Sequence, residues 1–435
     1  MKPLACKFGG SSVADAKQIL KVKKIIESDE RRRYIVVSAP GKRNDDDKKV
    51  TDLLYLAHET AKTGLDASEV LGLIQKRYQD IVSELNIELD LTPHFNEISK
   101  NIGQESKDYA ASRGEYLNGI LIAETLAATF INPAETIFFK EEGRLNEEKT
   151  YEALTKAMST EGRYVIPGFF GIDQNDHIKT FSRGGSDITG AIVARAMEVS
   201  SYENWTDVNG LLMADPRIVD NPLPIEEVSY TELRELSYMG AQVLHDEAIF
   251  PVREMGIPVH IRNTNAPEQK GTQIVSKVKH RATPIVGLAG KKDFEAFTLQ
   301  KTLMNKEVGF GRRALEIFER HQVNFEHLPS GIDSLTIIVN SHDIEEHRES
   351  ITQEIKQNLR VDELNIFRGI ALVAVVGAGM AYHPGVAATV FTALSNEGIN
   401  VRLIDQGAME LNIILGVEEK DFKKAIRSIY SAFIK

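Results

Sequence analysis

Leu4-Ala5-Cys6-Lys7-Phe8-Gly9-Gly10-Ser11-Ser12 opens the chain and sets the terms for reading the rest. A short apolar strand runs into a lysine, two glycines and two hydroxyls, and helical periodicity follows. Glycines let backbone N–H groups come close to an anion, and a helix N-terminus adds a favourable dipole. Lys7 adds the mobile positive charge that phosphoryl transfer needs. Because Lys7 precedes the glycines and the loop is short, the pattern is not the GxxxxGK[ST] phosphate loop. Alone, the string specifies an anion-binding turn, and such turns are structural more often than not.

Outward from this strand, apolar strands alternate with helical segments to about residue 280. Leu4–Phe8, Tyr34–Ser38, Thr136–Phe139, Tyr164–Phe169 and Val259–Arg262 read as buried strands. Ala14–Ser28, Ser112–Thr129, Thr150–Ser159 and Asp187–Met197 read as helices. The alternation predicts an α/β domain with a mostly parallel sheet covered on both faces. Ligands in such sheets sit at the carboxyl ends of strands, where Lys7, Ser38, Gly168 and Thr206 are expected. Between residues 44 and 107 the sequence turns polar and helix-rich, an insertion entered through Asp45-Asp46-Asp47-Lys48-Lys49. Three consecutive aspartates cannot all face one ion on a regular element, so this run reads as a solvated loop.

Asn265-Ala266-Pro267-Glu268-Gln269-Lys270-Gly271 reads as a turn-rich connection, and a second organisation starts near Thr283. There the chain repeats itself. At a constant offset of 76, Gly309 falls on Gly385, Asn324 on Asn400, Gly331 on Gly407 and Leu335 on Leu411, without a gap. Each copy reads strand, turn, helix, strand, turn, strand, which predicts two small α+β modules at 284–365 and 366–435 behind a domain at 1–280. Modules of this kind behind a catalytic-looking domain suggest regulation.

Composition narrows the class. With 435 residues, 42% hydrophobic and 26% charged, the chain reads as a soluble protein of two or three domains. A net charge of −11 argues against binding a nucleic-acid backbone, though not against a nucleotide site. Cys6 is the sole cysteine, which excludes intramolecular disulfides and fits a cytosolic setting. Lys7 and the glycines interrupt any signal-peptide core, and the apolar run Ile370–Ala381 is too short to span a bilayer. A cytoplasmic protein without membrane or nucleic-acid partners is expected.

Three further clusters carry chemistry. Arg183-Gly184-Gly185-Ser186-Asp187 opens a helix, so its glycines and Ser186 can cradle an anion and Arg183 can grip a carboxylate or phosphate. Asp187 can orient a lysine or a magnesium ion, or simply complement the helix dipole. Trp205-Thr206-Asp207-Val208-Asn209-Gly210, followed by Asp215-Pro216-Arg217, gathers a hydroxyl, carboxylates and an arginine past a strand end. Ser112-Arg113-Gly114-Glu115 precedes an apolar helix, where Glu115 is either a capping charge or a ligand for an ammonium group. His245, His260 and His327 lack metal-ligand spacing, and neither a Gly-x-Ser-x-Gly elbow nor a Rossmann fingerprint occurs.

Together, KFGGSSVAD at Lys7, VVSAPGK at Val36, SRGE at Ser112, GFFG at Gly168, RGGSD at Arg183, WTDVNG at Trp205 and ADPR at Ala214 resemble the amino acid kinase family, and within it the aspartokinases. The repeated tail resembles the paired ACT domains of that group, each with a ferredoxin-like fold. The resemblance implies transfer of the ATP γ-phosphoryl group to the β-carboxylate of L-aspartate. It implies Lys7 and Asp187 as catalytic residues. Phe8, Gly9, Gly10, Ser186, Thr206, Asp207, Leu212, Arg217, Gln242 and Val243 would contact ATP. Ser38, Thr51, Glu115 and Arg183 would hold aspartate, with Glu115 on its ammonium and Arg183 on its carboxylate. No metal would be bound by side chains, magnesium arriving with ATP. Met304, Gly309, Glu326 and Ser330 match effector positions, which implies feedback by an amino acid, lysine before threonine. A homodimer joined through the ACT domains is implied, alone or paired into a tetramer. Two departures stand out. Gln242 replaces a phosphate-contacting lysine, a loss for which Arg217 is the available compensation, and Leu212 replaces a tyrosine common in the nucleotide loop.

Overall fold

The computed structural model describes residues 2–182, 184–241, 246–278, 281 and 283–434, which group into two compact units. The first comprises Met1–Leu211, Pro224–Tyr230 and Val243–Val278. Its chain lays down β1 (Leu4–Phe8), β2 (Arg32–Val37), β3 (Thr129–Phe130), β4 (Tyr164–Pro167), β5 (Phe170–Ile172), β6 (Ile178–Thr180), β7 (Ser201–Thr206), β8 (Glu227–Ser229), β9 (Val259–Asn263) and β10 (Thr272–Val275). Eight of these form one sheet in the order β3-β4-β2-β1-β7-β9-β10-β8, and β5 pairs with β6 as a separate hairpin. From β3 to β9 every pairing is parallel. All five residues of β1 are buried, as expected of a strand covered on both faces.

Local chemistry accounts for the flanking helices. Asp15 caps Ala16–Glu27 by accepting from the Gln18 amide, and Ile19, Val22, Ile25 and Ile26 form its buried stripe. Ser106 caps the long helix Lys107–Leu126 in the same way through the Tyr109 amide. The polar insertion is helical as expected, with Val50–Lys62, Ser68–Leu85 and Thr92–Asn101 preceding that helix.

Three expectations need correction. Thr136–Phe139 is not a strand, because Pro133 at the first helical position and the Asn132 cap start a short turn, Pro133–Thr136. Phe138 and Phe139 make only isolated bridges to Ile172 and Leu145. The strand from Tyr164 stops at Pro167, since Phe169 takes a left-handed conformation (φ 82°) that turns the chain into β5. Residues 265–271 do not link domains; they close the antiparallel β9–β10 hairpin.

The second unit comprises Leu212–Leu223, Thr231–Gln242 and Lys279–Lys435. Its sheet holds β11 (Gly287–Gln300), β12 (Phe325–His327), β13 (Ser334–Asn340), β14 (Glu363–Val376), β15 (Leu403–Asp405) and β16 (Asn412–Glu418), in the order β12-β13-β11-β14-β16-β15. The offset of 76 carries β11 onto β14, and carries helix Phe310–Arg320 onto helix Val386–Asn396. Gly309 and Gly385 cap those two helices at φ 77° and 96°, conformations that favour glycine. The copies share their long strands. β13 pairs with β11 over Phe294–Gln300, β16 pairs with β14 over Ile370–Val376, and β11 and β14 pair along nearly their whole lengths. A join expected at 365/366 therefore falls inside β14.

Two stretches that precede residue 280 fold with this unit. The Met213 carbonyl accepts from the Leu288 amide at 2.6 Å. The Leu223 amide donates to the Tyr430 hydroxyl at 2.8 Å, and Arg427 Nε donates to the Ile218 carbonyl at 2.6 Å.

Candidate active site

In the first unit the strand order reverses between β1 and β7, so their carboxyl ends frame the crevice where a ligand is expected. Lys7 lies one residue from the end of β1, opposite Asn204 on β7. Its Nζ is 2.7 Å from Asp187 Oδ1, and Asn204 Nδ2 donates to the same oxygen at 2.8 Å. Asp187 stands in the first turn of helix Gly185–Ala196, and its carbonyl accepts from the Tyr202 hydroxyl at 3.1 Å. Gly190 leaves room for that hydroxyl, since a Cβ there would lie 2.4 Å from it. Lys7 and Asp187, both expected at the site, are brought together; Asn204 is a third member that no sequence motif marks.

The glycine turn behaves differently from expectation. The Gly9 amide extends the β1–β7 ladder by donating to the Trp205 carbonyl at 3.1 Å, so it is not free to face an anion. The Phe8 ring is fully buried and stacked 5.9 Å from Trp205. Beneath this pair, Glu203 accepts from Arg32, Arg262, the Trp205 indole and Cys6. Burial works to raise the Glu203 pKa, yet the Arg32 hydrogen bonds and the nearby guanidinium charges hold it below the ordinary value.

A second wall forms where β2 and β4 end. The Ser38 hydroxyl donates to Ser186 Oγ at 2.9 Å, and Asn118 Nδ2 donates to the Ser38 carbonyl at 2.6 Å. Gly168 packs so closely on Ser186 that an added Cβ would sit 2.4 Å from its hydroxyl. Glu115 is 6% exposed on helix Lys107–Leu126, one turn from Asn118. Burial pushes the Glu115 pKa up to about 7, against the opposing pull of the Ala39 and Glu115 backbone amides. Glu115 Oε2 and Asn118 Oδ1 are both buried without a hydrogen-bond partner. Two orphaned acceptors beside the end of β2 suit a ligand that brings N–H donors, and an ammonium group also restores the charge balance at Glu115. Thr51 is half-buried on the adjoining helix, whose Val50 would lie 3.3 Å from a Cβ at Gly114.

The remaining expected residues are more scattered. Thr206 ends β7, and its hydroxyl donates to Asp207 Oδ1 at 3.2 Å. Leu212 and Arg217 belong to the second unit, and the exposed Arg217 forks onto Asp215 at 2.7 Å, which ties up the guanidinium. Within that unit Met304 lies in a short turn, Gly309 caps its helix, and the exposed Ser330 bridges to Leu335. Glu326 on β12 accepts from the Tyr238 hydroxyl at 2.5 Å. Arg183, Gln242, Val243 and His245 lie outside the described residues. Among the described residues no group of three or more His, Cys, Asp or Glu side chains could hold a metal ion, and no helix is long and apolar enough to cross a membrane.

Comparison with known proteins places this geometry. The sequence model of the amino acid kinase family matches residues 2–263, and that of an ACT domain matches residues 373–433. The chain is 38% identical to aspartokinase 3 of Bacillus subtilis over 98% of both chains. It is 26% identical to the lysine-sensitive aspartokinase 3 of Escherichia coli, again over 98% of both. Among solved structures, the aspartate kinase of Clostridium acetobutylicum superposes with a TM-score of 0.92 at 50% identity, covering all of both chains.

Proposed function

Because this chain belongs to the amino acid kinase family, and within it to the aspartokinases, we propose that it phosphorylates L-aspartate with ATP to give 4-phospho-L-aspartate and ADP. The observation that carries the acceptor assignment is the pair of unpartnered buried acceptors, Glu115 Oε2 and Asn118 Oδ1. Aspartate's ammonium would satisfy them, with its hydroxyl contacts at Ser38 and Thr51 and its α-carboxylate on Arg183.

The chemistry asks little proton transfer of the protein. A β-carboxylate is already ionised at neutral pH, so one of its oxygens forms the new bond to the γ-phosphorus while the bond to the β-phosphate oxygen breaks. Catalysis is then positioning and charge stabilisation. Lys7 supplies the cation for the transferring group. The Asp187 carboxylate, itself held by Asn204, fixes where that cation points. Magnesium carried by ATP would add further neutralisation of phosphate charge. Within the first unit the nucleotide would be met by Gly10, Ser186, Thr206 and Asp207.

Feedback control through the ACT modules completes the reading, with lysine as first effector and threonine as second. The sensitivity named for the Escherichia coli relative supports lysine, and Glu326 is the residue suited to its ammonium. The effector modules would join two chains in a homodimer. The test is hydroxamate trapping of the acyl phosphate with ATP and aspartate, glutamate or acetylglutamate in turn. Product from aspartate alone is expected, reduced by added lysine. No product from aspartate removes the proposal, and indifference to both lysine and threonine removes its regulatory half.

A further inference from the structure

A buried guanidinium ties together two neighbouring loops of the first unit, the glycine turn after β1 and the loop after β2. Arg77, on helix Ser68–Leu85 of the helical insertion, is 5% exposed. Its Nη2 donates to the Ala14 carbonyl at 3.2 Å and also to the Gly41 carbonyl. Its Nη1 donates to the Lys48 carbonyl at 2.9 Å and lies 3.3 Å from Asp47 Oδ2. Arg43 grips the same Asp47 through its side chain and its backbone amide. The acidic run is thus only partly a solvated loop: Asp45 and Asp46 are exposed, while Asp47 turns inward.

Where these carbonyls sit matters more than their number. Ala14 closes the glycine turn that follows β1, and Gly41 and Lys48 lie in the loop that runs from Ser38 to the helix beginning at Val50. The two loops touch backbone to backbone. The Gly41 amide donates to the Gly10 carbonyl at 2.8 Å, and a Cβ at residue 41 would lie 2.6 Å from the Gly10 carbonyl carbon. A Cβ at residue 10 would in turn lie 3.0 Å from the Ala39 carbonyl oxygen. A single ion pair to Asp47 would need only one edge of the guanidinium. Here Nη2 reaches a carbonyl on each loop and Nη1 a further one at Lys48, which a lysine ammonium could not span with the same planar fork.

We propose that Arg77 is a positioning residue for phosphoryl transfer: it staples the donor-side glycine turn to the acceptor-side loop and so sets the spacing between phosphate and carboxylate. The inference rests on the phosphoryl-transfer reading above. Misplacement of reacting groups by about 1 Å costs on the order of 10²-fold in rate, so the staple acts on kcat more than on affinity.

The test compares wild type, Arg77→Lys, Arg77→Met and Arg77→Ala in the hydroxamate assay, with urea midpoints read from Trp205 fluorescence. Arg77→Met is expected to lose roughly 10²-fold in kcat, with the KM values for aspartate and ATP changed by less than about threefold. Arg77→Lys is expected to fall between it and wild type. Ethylguanidinium should restore part of the kcat of Arg77→Ala without shifting its KM values. A folded Arg77→Met with wild-type kcat overturns the proposal, as does a loss that appears equally in both KM values. Should Arg77→Met not fold, Arg77→Lys decides: wild-type kcat there, or no guanidinium rescue of Arg77→Ala, overturns it. Failure of the wild type itself to phosphorylate aspartate would instead refute the underlying reading.

Discussion

Glu115→Gln should make the free protein more stable and at the same time poor at binding aspartate. In the folded chain the carboxyl titrates at about 7, against 4.5 for an ordinary glutamate, because it is buried with one oxygen unpartnered. The folded state thus favours the protonated form. The stability this proton confers is complete below the unfolded pKa and is lost as pH rises through the folded one. A tenfold change in a protonation equilibrium is worth about 1.4 kcal/mol, so holding the buried carboxylate at about pH 8.5 costs about 3 kcal/mol, and at about pH 5.5 about 1 kcal/mol. Glutamine carries no such charge and retains hydrogen-bonding capacity. The variant should therefore exceed wild type by those two amounts. Trp205, the sole tryptophan, is buried in the same unit, and its fluorescence during urea unfolding reports the change. Aspartate should protect wild type and not the variant, whose KM for aspartate should rise by about 10²-fold or more through loss of a buried charge partner. Equal midpoints at about pH 8.5, or a gain that does not vary with pH, would refute the argument.

Further outcomes follow from the same geometry. Lys7→Met should lower kcat by about 10²- to 10³-fold while the folded state persists, as measured by initial rates beside a urea titration. Glu203→Gln should cost about 3–5 kcal/mol, since Arg32 and Arg262 would lose the buried carboxylate they share, and denaturant midpoints would register it. Gly168→Ala forces a methyl against Ser186. It should destabilise by about 1–3 kcal/mol and raise the KM for aspartate, as calorimetry and rates would show. Gln242→Lys should lower the KM for ATP, and an unchanged value would argue against a missing phosphate contact at that position.

Much of this architecture is legible in the sequence because its signals are local. β1 ends where its apolar run meets Gly9, and the repeat at offset 76 returns as matching element boundaries. The Lys7–Asp187 pair is readable because a lysine at a strand end and an acid in a helix's first turn have few other uses side by side. What the sequence hides depends on tertiary placement. Asn204 and Asn118 look like any polar residue on a strand or a helix, and only their buried surroundings mark them. The Gly9 amide reads as free because sequence does not reveal how far a strand ladder continues past its last side chain. Residues 136–139 read as a strand from their apolar run, yet the Asn-Pro start before it decides the local structure.

Gly287 lies opposite Val376 and Gln300 opposite Glu363 in the pairing of β11 with β14, and a shift of 76 exchanges these two pairs. The second unit thus contains an approximate two-fold axis running through the middle of one antiparallel ladder, the signature of an isologous dimer. Covalently, however, both halves are one chain. Each copy lends half of its long strand to the other's sheet, which is how a strand-exchanged dimer looks once its two subunits have been fused. Neither copy can be removed without baring the edge of the one left behind. An event felt in one copy is therefore shared by the other through a common strand, and not merely passed across a surface.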